Sequence, residues 1–175
     1  LDFLGIRFRQ PPQAPVDLSG AIERPTWCPG GRLNITESCL DRWLETPQTA
    51  ERLALIVERE DGSSEQLTYA ELADQVERCA AGLRALGLGP GDRIGLFLPM
   101  STQIVVALLA IARMGAIALP LFSGFGADSV AQRLKDAGAR GLITADGAPR
   151  RGRIIPLKPV ADEAAAACDT LTTVV

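Results

Sequence analysis

The residues best suited to ligand chemistry lie in a basic segment between Arg140 and Lys158. The segment holds four arginines and one lysine against a single aspartate, a net charge of +4 in a chain whose formal net charge is −3. A positive segment on an otherwise acidic protein concentrates anionic ligands, and the planar guanidinium group fits phosphate oxygens. Because solvated surface loops carry similar charge, the pattern alone is compatible with a phosphate site and with an exposed loop.

A glycine-containing turn is the second candidate. Residues 124–129 read Gly-Phe-Gly-Ala-Asp-Ser, between a predicted strand and a predicted helix, where the dinucleotide fingerprint G-x-G-x-x-G occurs. Ser129 replaces the third glycine, and the turn follows the second strand of its region rather than the first. A nicotinamide-dependent dehydrogenase is therefore only weakly indicated, and a simple chain reversal explains the glycines equally well.

Several chemistries are excluded by residues that the chain lacks. It contains no histidine, so it has no imidazole base, no Ser-His-Asp triad and no histidine metal ligand. Its four cysteines form no C-x-x-C pair, which argues against a zinc site or a redox motif. No pair of carboxylates stands out. We therefore predict no catalytic residue and no metal ligand in this chain.

Composition also limits the compartment and the partners. An aromatic content of 5% and a negative net charge argue against a nucleic-acid partner, while 47% hydrophobic residues suffice for a packed core. Residues 94–112 are uncharged, but Pro99 and the polar residues after it interrupt them, so no membrane partner is expected. Scattered cysteines and the absence of a signal-peptide pattern predict a cytoplasmic protein.

The first third of the chain predicts an arm, a short helix and a hairpin. Residues 1–37 contain five prolines and a Gly-Gly pair, which predicts an irregular arm extended over a folded body. A short helix is predicted over residues 34–44, where apolar side chains recur at helical spacing. The apolar runs 53–57 and 66–69, separated by turn residues, predict a β-hairpin.

A long helix and then a strand–helix alternation are predicted beyond the hairpin. The long helix is predicted to begin at Thr68 and Glu71, which form a capping box. Its apolar face includes Cys79, which we interpret as a buried free thiol. Gly87 suits the left-handed position at its C-terminal end. Strands are then predicted at 93–98, 116–122, 141–145 and 171–175, and helices at 101–113, 128–137 and 160–168. The predicted fold class is α/β, with parallel-sheet βαβ units whose ligand edge includes the loops 122–127 and 146–153.

A series of short motifs gives the sequence a resemblance to a known family. In chain order they are Trp27-x-x-Gly30-Gly31-x-Leu33-Asn34, Cys39-Leu40-Asp41-Arg42, Leu67-Thr68-Tyr69-x-Glu71-Leu72, Gly91-Asp92-Arg93-Ile94, Pro99-Met100, Ala112-Arg113-x-Gly115-Ala116, Phe122-x-Gly124-Phe125, Ile143-Thr144-Ala145-Asp146 and Arg150-x-Gly152-Arg153-x-Ile155-Pro156-Leu157-Lys158. Their order and spacing resemble the N-terminal part of acetyl-CoA and propionyl-CoA synthetases, which are adenylate-forming ligases of the AMP-binding type.

This resemblance implies a reaction and a binding site. In the family, a short carboxylate attacks the α-phosphate of ATP, pyrophosphate leaves, and the thiol of CoA then displaces AMP to give acyl-CoA. The arginines of the family's R-x-G-R loop contact CoA phosphates, and its F-G-G-F loop lies beside the CoA nucleotide. Carried over, Arg150 and Arg153 become phosphate ligands, while Phe122 and Gly124 line the nucleotide site.

The sequence departs from the family pattern in four places. One of them, Leu119-Pro120-Leu121, resembles the wider acyl-CoA synthetase group and leaves the acyl chain length open. Ser123 stands where the F-G-G-F turn has a glycine, so close backbone approach to a ligand is less favoured there. Gly126 and Ala127 replace Ser-Pro, which removes a capping hydroxyl and a proline suited to the first helical turn. Trp43 replaces the histidine that follows Cys-Leu-Asp-Arg in the family.

The resemblance also indicates what this chain lacks. The family's Ser/Thr/Gly-rich ATP loop, its adenine and ribose motifs and its assisting lysine are not in the sequence, and the ligands of the expected Mg²⁺ are not expected here. The apolar residues 171–175 close the chain without a cap, which predicts a fragment that stops inside a sheet.

The expected organisation is an arm at residues 1–37 and an incomplete N-terminal α/β portion of an AMP-binding ligase domain at residues 38–175. The expected partners are a small carboxylate, ATP, CoA and the remainder of the polypeptide, and the chain alone is expected to be inactive. The alternative is a stand-alone nucleotide-binding or CoA-binding regulatory module derived from such an enzyme.

Overall fold

A computed structural model describes residues 2–20 and 22–175. The strands are, in chain order, β1 (Val16–Asp17), β2 (Thr26–Trp27), β3 (Leu53–Glu58), β4 (Ser64–Thr68), β5 (Arg93–Phe97), β6 (Ile117–Pro120), β7 (Gly141–Thr144), β8 (Gly147–Arg150), β9 (Arg153–Pro156) and β10 (Thr173–Val174). The helices are α1 (Ile35–Cys39), α2 (Pro47–Ala50), α3 (Tyr69–Ala85), α4 (Thr102–Arg113), α5 (Ala127–Ala137) and α6 (Lys158–Ala166), with 3₁₀ turns at Asp2–Leu4 and Asp41–Leu44. None of these helices combines the length and the apolar character needed to cross a bilayer.

A four-stranded parallel sheet forms the centre of the fold. Its strand order is β10-β7-β5-β6, and every neighbouring pair is parallel. Parallel neighbours need a crossover connection, which α4, α5 and α6 supply between successive strands. The βαβ units and the α/β class predicted from the sequence are confirmed. Because all four strands run in one direction, their carboxyl ends lie along the same edge.

Helices cover both faces of this sheet. On one face, α3 and α4 pack against Ile94 and Leu96, which are fully buried. On the other face, α5 and α6 pack against Phe97 and Leu142, which are equally buried. The nearly continuous apolar run of β5 predicted this burial, since a strand covered on both faces shows no polar alternation.

Helix α3 begins and ends where the sequence indicated. The Thr68 hydroxyl accepts a hydrogen bond from the Glu71 amide, and the Glu71 carboxylate accepts one from the Thr68 amide, which is the predicted capping box. Gly87 follows the helix with a left-handed φ of 83°. The apolar face is slightly rotated from the prediction: Ala80 is fully buried, whereas Cys79 is a half-buried free thiol whose pKa is raised by burial.

The predicted helix over residues 34–44 is wrong as a single element. It consists of α1 and a 3₁₀ turn, separated at Leu40, whose φ of −126° and ψ of −63° break the helix. The break places the Leu40 side chain in the core, while Ile35 of the predicted apolar face stays 49% exposed. Burial of one large apolar side chain therefore outweighs the helical spacing of the segment.

The N-terminal arm contains short regular structure that its prolines did not predict. Strands β1 and β2 pair antiparallel, so the arm folds back on itself. Asn34 fastens the end of the arm to the body, because its side-chain amide donates hydrogen bonds to the carbonyls of Ala112 and Arg113 at 3.0 and 3.1 Å. These carbonyls end α4, which leads into the start of β6, so the arm is attached at the amino edge of the sheet.

A hairpin occupies the segment predicted as a loop at residues 146–153. Strands β8 and β9 pair antiparallel from Gly147 opposite Pro156 to Arg150 opposite Arg153, and the loop prediction is therefore wrong. Pro149 weakened the strand signal, because proline lacks the amide that a central strand needs. In a two-stranded hairpin each strand is an edge, where a proline is tolerated.

The packing around β5 predicts opposite effects for two glycine-to-alanine substitutions. In Gly95→Ala the new Cβ would lie 2.8 Å from Leu134 Cδ2 and 2.9 Å from Leu142 Cδ1. We expect this overpacking to lower the free energy of unfolding by about 1 to 3 kcal/mol. In Gly82→Ala, on the exposed side of α3, nothing lies within 4 Å of the new Cβ, and we expect an increase of about 0.5 to 1 kcal/mol from helix propensity.

Urea denaturation of the two variants measures both changes in the free energy of unfolding. Equal effects of the two substitutions, or a neutral Gly95→Ala, would contradict the described contact between β5 and α5.

Candidate functional site

Connections that follow β5, β6 and β7 meet at the carboxyl edge of the parallel sheet. The parallel strands bring them side by side although they are far apart in sequence, and ligands of α/β sheets bind at this edge. The predicted site residues Phe122 and Gly124 lie in the connection after β6. Arg150 and Arg153 lie in the connection after β7.

The two predicted arginines lie at the end of the β8–β9 hairpin. Arg150 and Arg153 are direct cross-strand partners, so their side chains project from the same face of the ladder. Arg151 and Gly152 form the two-residue turn between them, with φ of 52° and 72°. Positive φ at both positions is the requirement of a type I′ turn, whose twist matches that of a hairpin. We name residues 150–153 the arginine tip.

Phe122 and Gly124 lie against the arginine tip. The Phe122 ring packs edge-to-face on Phe125 with centroids 5.5 Å apart, and the guanidinium carbon of Arg150 is 5.9 Å from the Phe122 ring centre. A Cβ on Gly124 would lie 2.5 Å from Phe122 Cε1 and 3.2 Å from Arg150 Nη1. The structure therefore brings Phe122, Gly124 and Arg150 into one cluster, with Arg153 beside Arg150.

Ion pairs neutralise part of the basic segment. Both carboxylate oxygens of Asp92 lie 3.0 Å from Arg140 Nη1, and the Gly89 amide together with Arg140 holds the pKa of Asp92 below its usual value. The Lys158 ammonium pairs with Asp162. Across residues 2–20 and 22–175, no carboxylate lies within 4.0 Å of a guanidinium of the arginine tip. Within the basic segment, the guanidinium groups that remain without an ion pair are therefore those of the tip.

Open clefts border the arginine tip. One of about 350 Å³ is lined by Arg150, by Met100 after β5, by Ser123 after β6 and by Glu60 in the β3–β4 turn. Two others, of about 530 and 490 Å³, are also lined by residues of the tip. These volumes fall in the range of small-molecule sites, so the guanidinium groups face space that a phosphate-bearing ligand could occupy.

Glu60 contacts the arginine tip, although the sequence analysis did not single it out. Its carboxylate accepts a hydrogen bond from the Gly152 amide at 3.2 Å. Hydrogen bonds from the Arg151 and Gly152 amides hold the pKa of Glu60 below its usual value. Because Glu60 and Gly152 are 92 positions apart, no local sequence pattern could relate them.

The departures noted in the sequence have structural counterparts. Helix α5 follows Gly126, and no side chain caps its first turn, as the replacement of Ser-Pro predicted. Trp43 stacks on Tyr69 with ring centroids 5.1 Å apart, which fixes the 3₁₀ turn against the start of α3.

In the described part of the chain, no three His, Cys, Asp or Glu side chains are grouped so that they could hold a metal ion.

Comparison with known proteins shows similarity over most of the chain. The family model described as AMP-binding enzyme matches residues 42–175. The chain is 46% identical over 138 residues to an acetyl-coenzyme A synthetase of Streptomyces avermitilis, and 47% identical over 141 residues to one of Ralstonia nicotianae. These alignments cover 79% and 81% of this chain but 21% of each relative.

A solved structure is similar over the same elements. The acetoacetyl-CoA synthetase from Streptomyces lividans matches 99% of this chain with a TM-score of 0.88 and 33% sequence identity. The match covers 26% of that protein. This chain therefore spans about a fifth to a quarter of the length of the proteins it resembles.

The close approach at Gly124 predicts the effect of adding one methyl group. In Gly124→Ala the Phe122 ring must move, which breaks its edge-to-face contact with Phe125. We expect a loss of about 1 kcal/mol in the free energy of unfolding, the usual contribution of such an aromatic pair. NMR chemical shifts of the Phe122 ring protons and urea denaturation measure the two effects.

Gly126→Ser in the same loop is the matched control. Nothing lies within 4 Å of a Cβ at Gly126, and a serine there can cap α5, so we expect a change within about 0.5 kcal/mol. Ring shifts of the same size in both variants, or in neither, would contradict the described packing of Gly124.

Proposed function

The chain belongs to the AMP-binding enzyme family, and on this premise we propose that it is the N-terminal portion of a longer ATP-dependent short-chain acyl-CoA synthetase. In this proposal residues 1–37 form an arm, and residues 38–175 form part of the ligase domain that supplies scaffold and part of the CoA site. Relatives named acetyl-coenzyme A synthetase support a short acyl substrate. Their much greater length supports a remainder of the polypeptide that completes the enzyme.

The proposed reaction has two steps. A carboxylate oxygen of the acid attacks the α-phosphorus of ATP, the bond to pyrophosphate breaks, and an acyl-adenylate and pyrophosphate form. The deprotonated sulfur of CoA then attacks the acyl carbonyl carbon, and AMP leaves with the electron pair of the broken carbon–oxygen bond. The products are acyl-CoA, AMP and pyrophosphate. We assign the groups that act on ATP, and any Mg²⁺ bound with it, to the remainder of the polypeptide.

In this proposal the described residues bind CoA and do not perform bond making or breaking. Arg150 and Arg153 donate charge-assisted hydrogen bonds to CoA phosphate oxygens, which are stronger than bonds between neutral groups. The exposed ring of Phe122 lines the space for the CoA nucleotide. Gly124 lets this ring and Arg150 lie against the loop backbone.

One observation carries the proposal. A tip of three arginines, with no carboxylate of the described residues within 4.0 Å of their guanidinium groups, lies beside an exposed aromatic ring at the carboxyl edge of a parallel sheet. Guanidinium groups bind phosphate, and aromatic rings stack on nucleotide bases. The lack of room at Gly124, where an added Cβ would meet both Phe122 and Arg150, supports a packed cluster rather than a solvated loop.

Charge removal at the arginine tip tests the proposal in the longer protein. We expect Arg150→Gln and Arg153→Gln each to weaken CoA binding by about tenfold, because a hydrogen bond to a charged group contributes about 1.5 kcal/mol or more. The affinity for ATP should not change. Isothermal titration of CoA and of ATP into each variant measures both affinities.

Arg140→Gln removes the same charge at the opposite edge of the sheet, where Arg140 pairs with Asp92. We expect its CoA affinity to stay near that of the unmodified protein. CoA binding that is unaffected by both tip variants, or weakened equally by Arg140→Gln, would refute the site. CoA binding without AMP release from ATP and acetate would favour a binding module over a synthetase.

A further inference from the structure

The arginine tip lacks support from a neighbouring strand. Among the residues described, β8 and β9 form a two-stranded sheet of their own, and isolated hairpins are marginally stable in water. The base of the hairpin is fixed, because Ala148 and Leu157 are buried and the Leu157 amide donates to the Asp146 carbonyl at 3.0 Å. The tip, at the far end of the hairpin, depends on contacts of its own.

Glu60 supplies such a contact from a turn that is itself well ordered by hydrogen bonds. The turn joins β3 to β4, and in it the Arg59 amide donates to the Ser63 carbonyl at 2.8 Å, and the Gly62 amide donates to the Arg59 carbonyl at 3.0 Å. From this turn the Glu60 carboxylate reaches the Gly152 amide at 3.2 Å. The β3–β4 hairpin thereby holds the end of the β8–β9 hairpin.

The Gly152 amide, which donates to Glu60, belongs to a turn whose two residues both have left-handed backbone. Arg151 and Gly152 have φ of 52° and 72°, and the bonds from both amides, that of Arg151 being the stronger influence, lower the pKa of Glu60. A carboxylate that accepts a hydrogen bond from the Gly152 amide restrains the turn. Because Arg150 and Arg153 flank that turn directly, restraint of the turn also fixes the directions in which their side chains leave the backbone.

We propose that Glu60 is a positioning residue for CoA phosphate binding, and that its carboxylate oxygen holds the Arg151–Gly152 turn so that Arg150 and Arg153 face the phosphates together. This inference rests on the proposed function of the arginine tip. Glu60 acts through its acceptor oxygen and not through its charge, because a negative charge beside a bound phosphate opposes phosphate binding. An acceptor without charge should therefore replace it.

Steady-state kinetics of acyl-CoA formation by the longer protein test the role of Glu60. We expect Glu60→Ala to raise the KM for CoA by about fivefold, with kcat and the KM for ATP unchanged, because the loss affects binding of one substrate only. Glu60→Gln keeps an acceptor oxygen, and its KM for CoA should stay close to that of the unmodified protein. The matched control is Asp61→Ala, which removes a carboxylate that accepts from the Ser63 amide of the same turn and should leave this KM unchanged.

A second measurement follows the contact itself. Hydrogen exchange of the Gly152 amide should accelerate in Glu60→Ala and stay slow in Glu60→Gln. A KM for CoA that is unchanged or lowered in Glu60→Ala would overturn the proposal, as would equal increases in both Glu60 variants or an equal increase in the KM for ATP.

The two proposals fail in different ways. If Arg150→Gln and Arg153→Gln weaken CoA binding while Glu60→Ala does not, the positioning role is wrong and the CoA site stands. If the arginine variants also bind CoA normally, the site itself is wrong.

Discussion

The parallel alignment of β5 with β6 and β7 determines where every candidate ligand-binding residue lies. Strand β5 pairs with β6 from Arg93 opposite Ile117, and with β7 from Ile94 opposite Gly141. Crossover helices must return the chain to the amino edge before each new strand, so all connections after the strands emerge at the carboxyl edge. The turn that holds Phe122 and the hairpin that holds Arg150 therefore become neighbours without any contact in sequence. The glycine in β5 contributes to this arrangement, because it lets α5 pack closely on the sheet.

The two edges of the sheet differ in how their polar groups are used. At the amino edge, Asn34 satisfies carbonyls at the end of α4, and Asp92 neutralises Arg140. These contacts join the arm to the body and connect the starts of neighbouring strands. At the carboxyl edge no carboxylate of the described residues lies within 4.0 Å of a guanidinium of the arginine tip, and the Gly152 amide of its turn donates to Glu60. The arginine at the amino edge thus takes part in a structural ion pair, whereas the guanidinium groups at the carboxyl edge do not.

The sequence predicted those parts of the fold that depend on local chemistry. The capping box at Thr68 and Glu71, the left-handed Gly87 and the apolar run of β5 each determine their own conformation, and all three are confirmed. The break at Leu40 could not be read from spacing, because it depends on a core that forms only in the folded chain. The β8–β9 hairpin was missed because Pro149 weakens the strand pattern without forbidding an edge strand.

The candidate site depended on information of a different kind. The net charge of the basic segment fits a phosphate site and a solvated loop equally, so it could not decide between them. The four predicted site residues instead followed from the family resemblance. Only the structure separates Arg140 and Lys158, which form ion pairs, from the guanidinium groups of the arginine tip, which have no carboxylate of the described residues within 4.0 Å. No sequence pattern could indicate Glu60, because the Gly152 amide is brought to it only by the packing of two hairpins.

The most direct test of this account is a crystal structure of the longer protein with CoA bound. The account predicts phosphate oxygens of CoA within about 3 Å of guanidinium nitrogens of Arg150 and Arg153, the distance of a charged hydrogen bond, with the Gly152 amide still bonded to Glu60. CoA phosphates held by other residues, beyond hydrogen-bonding distance of both arginines, would contradict it.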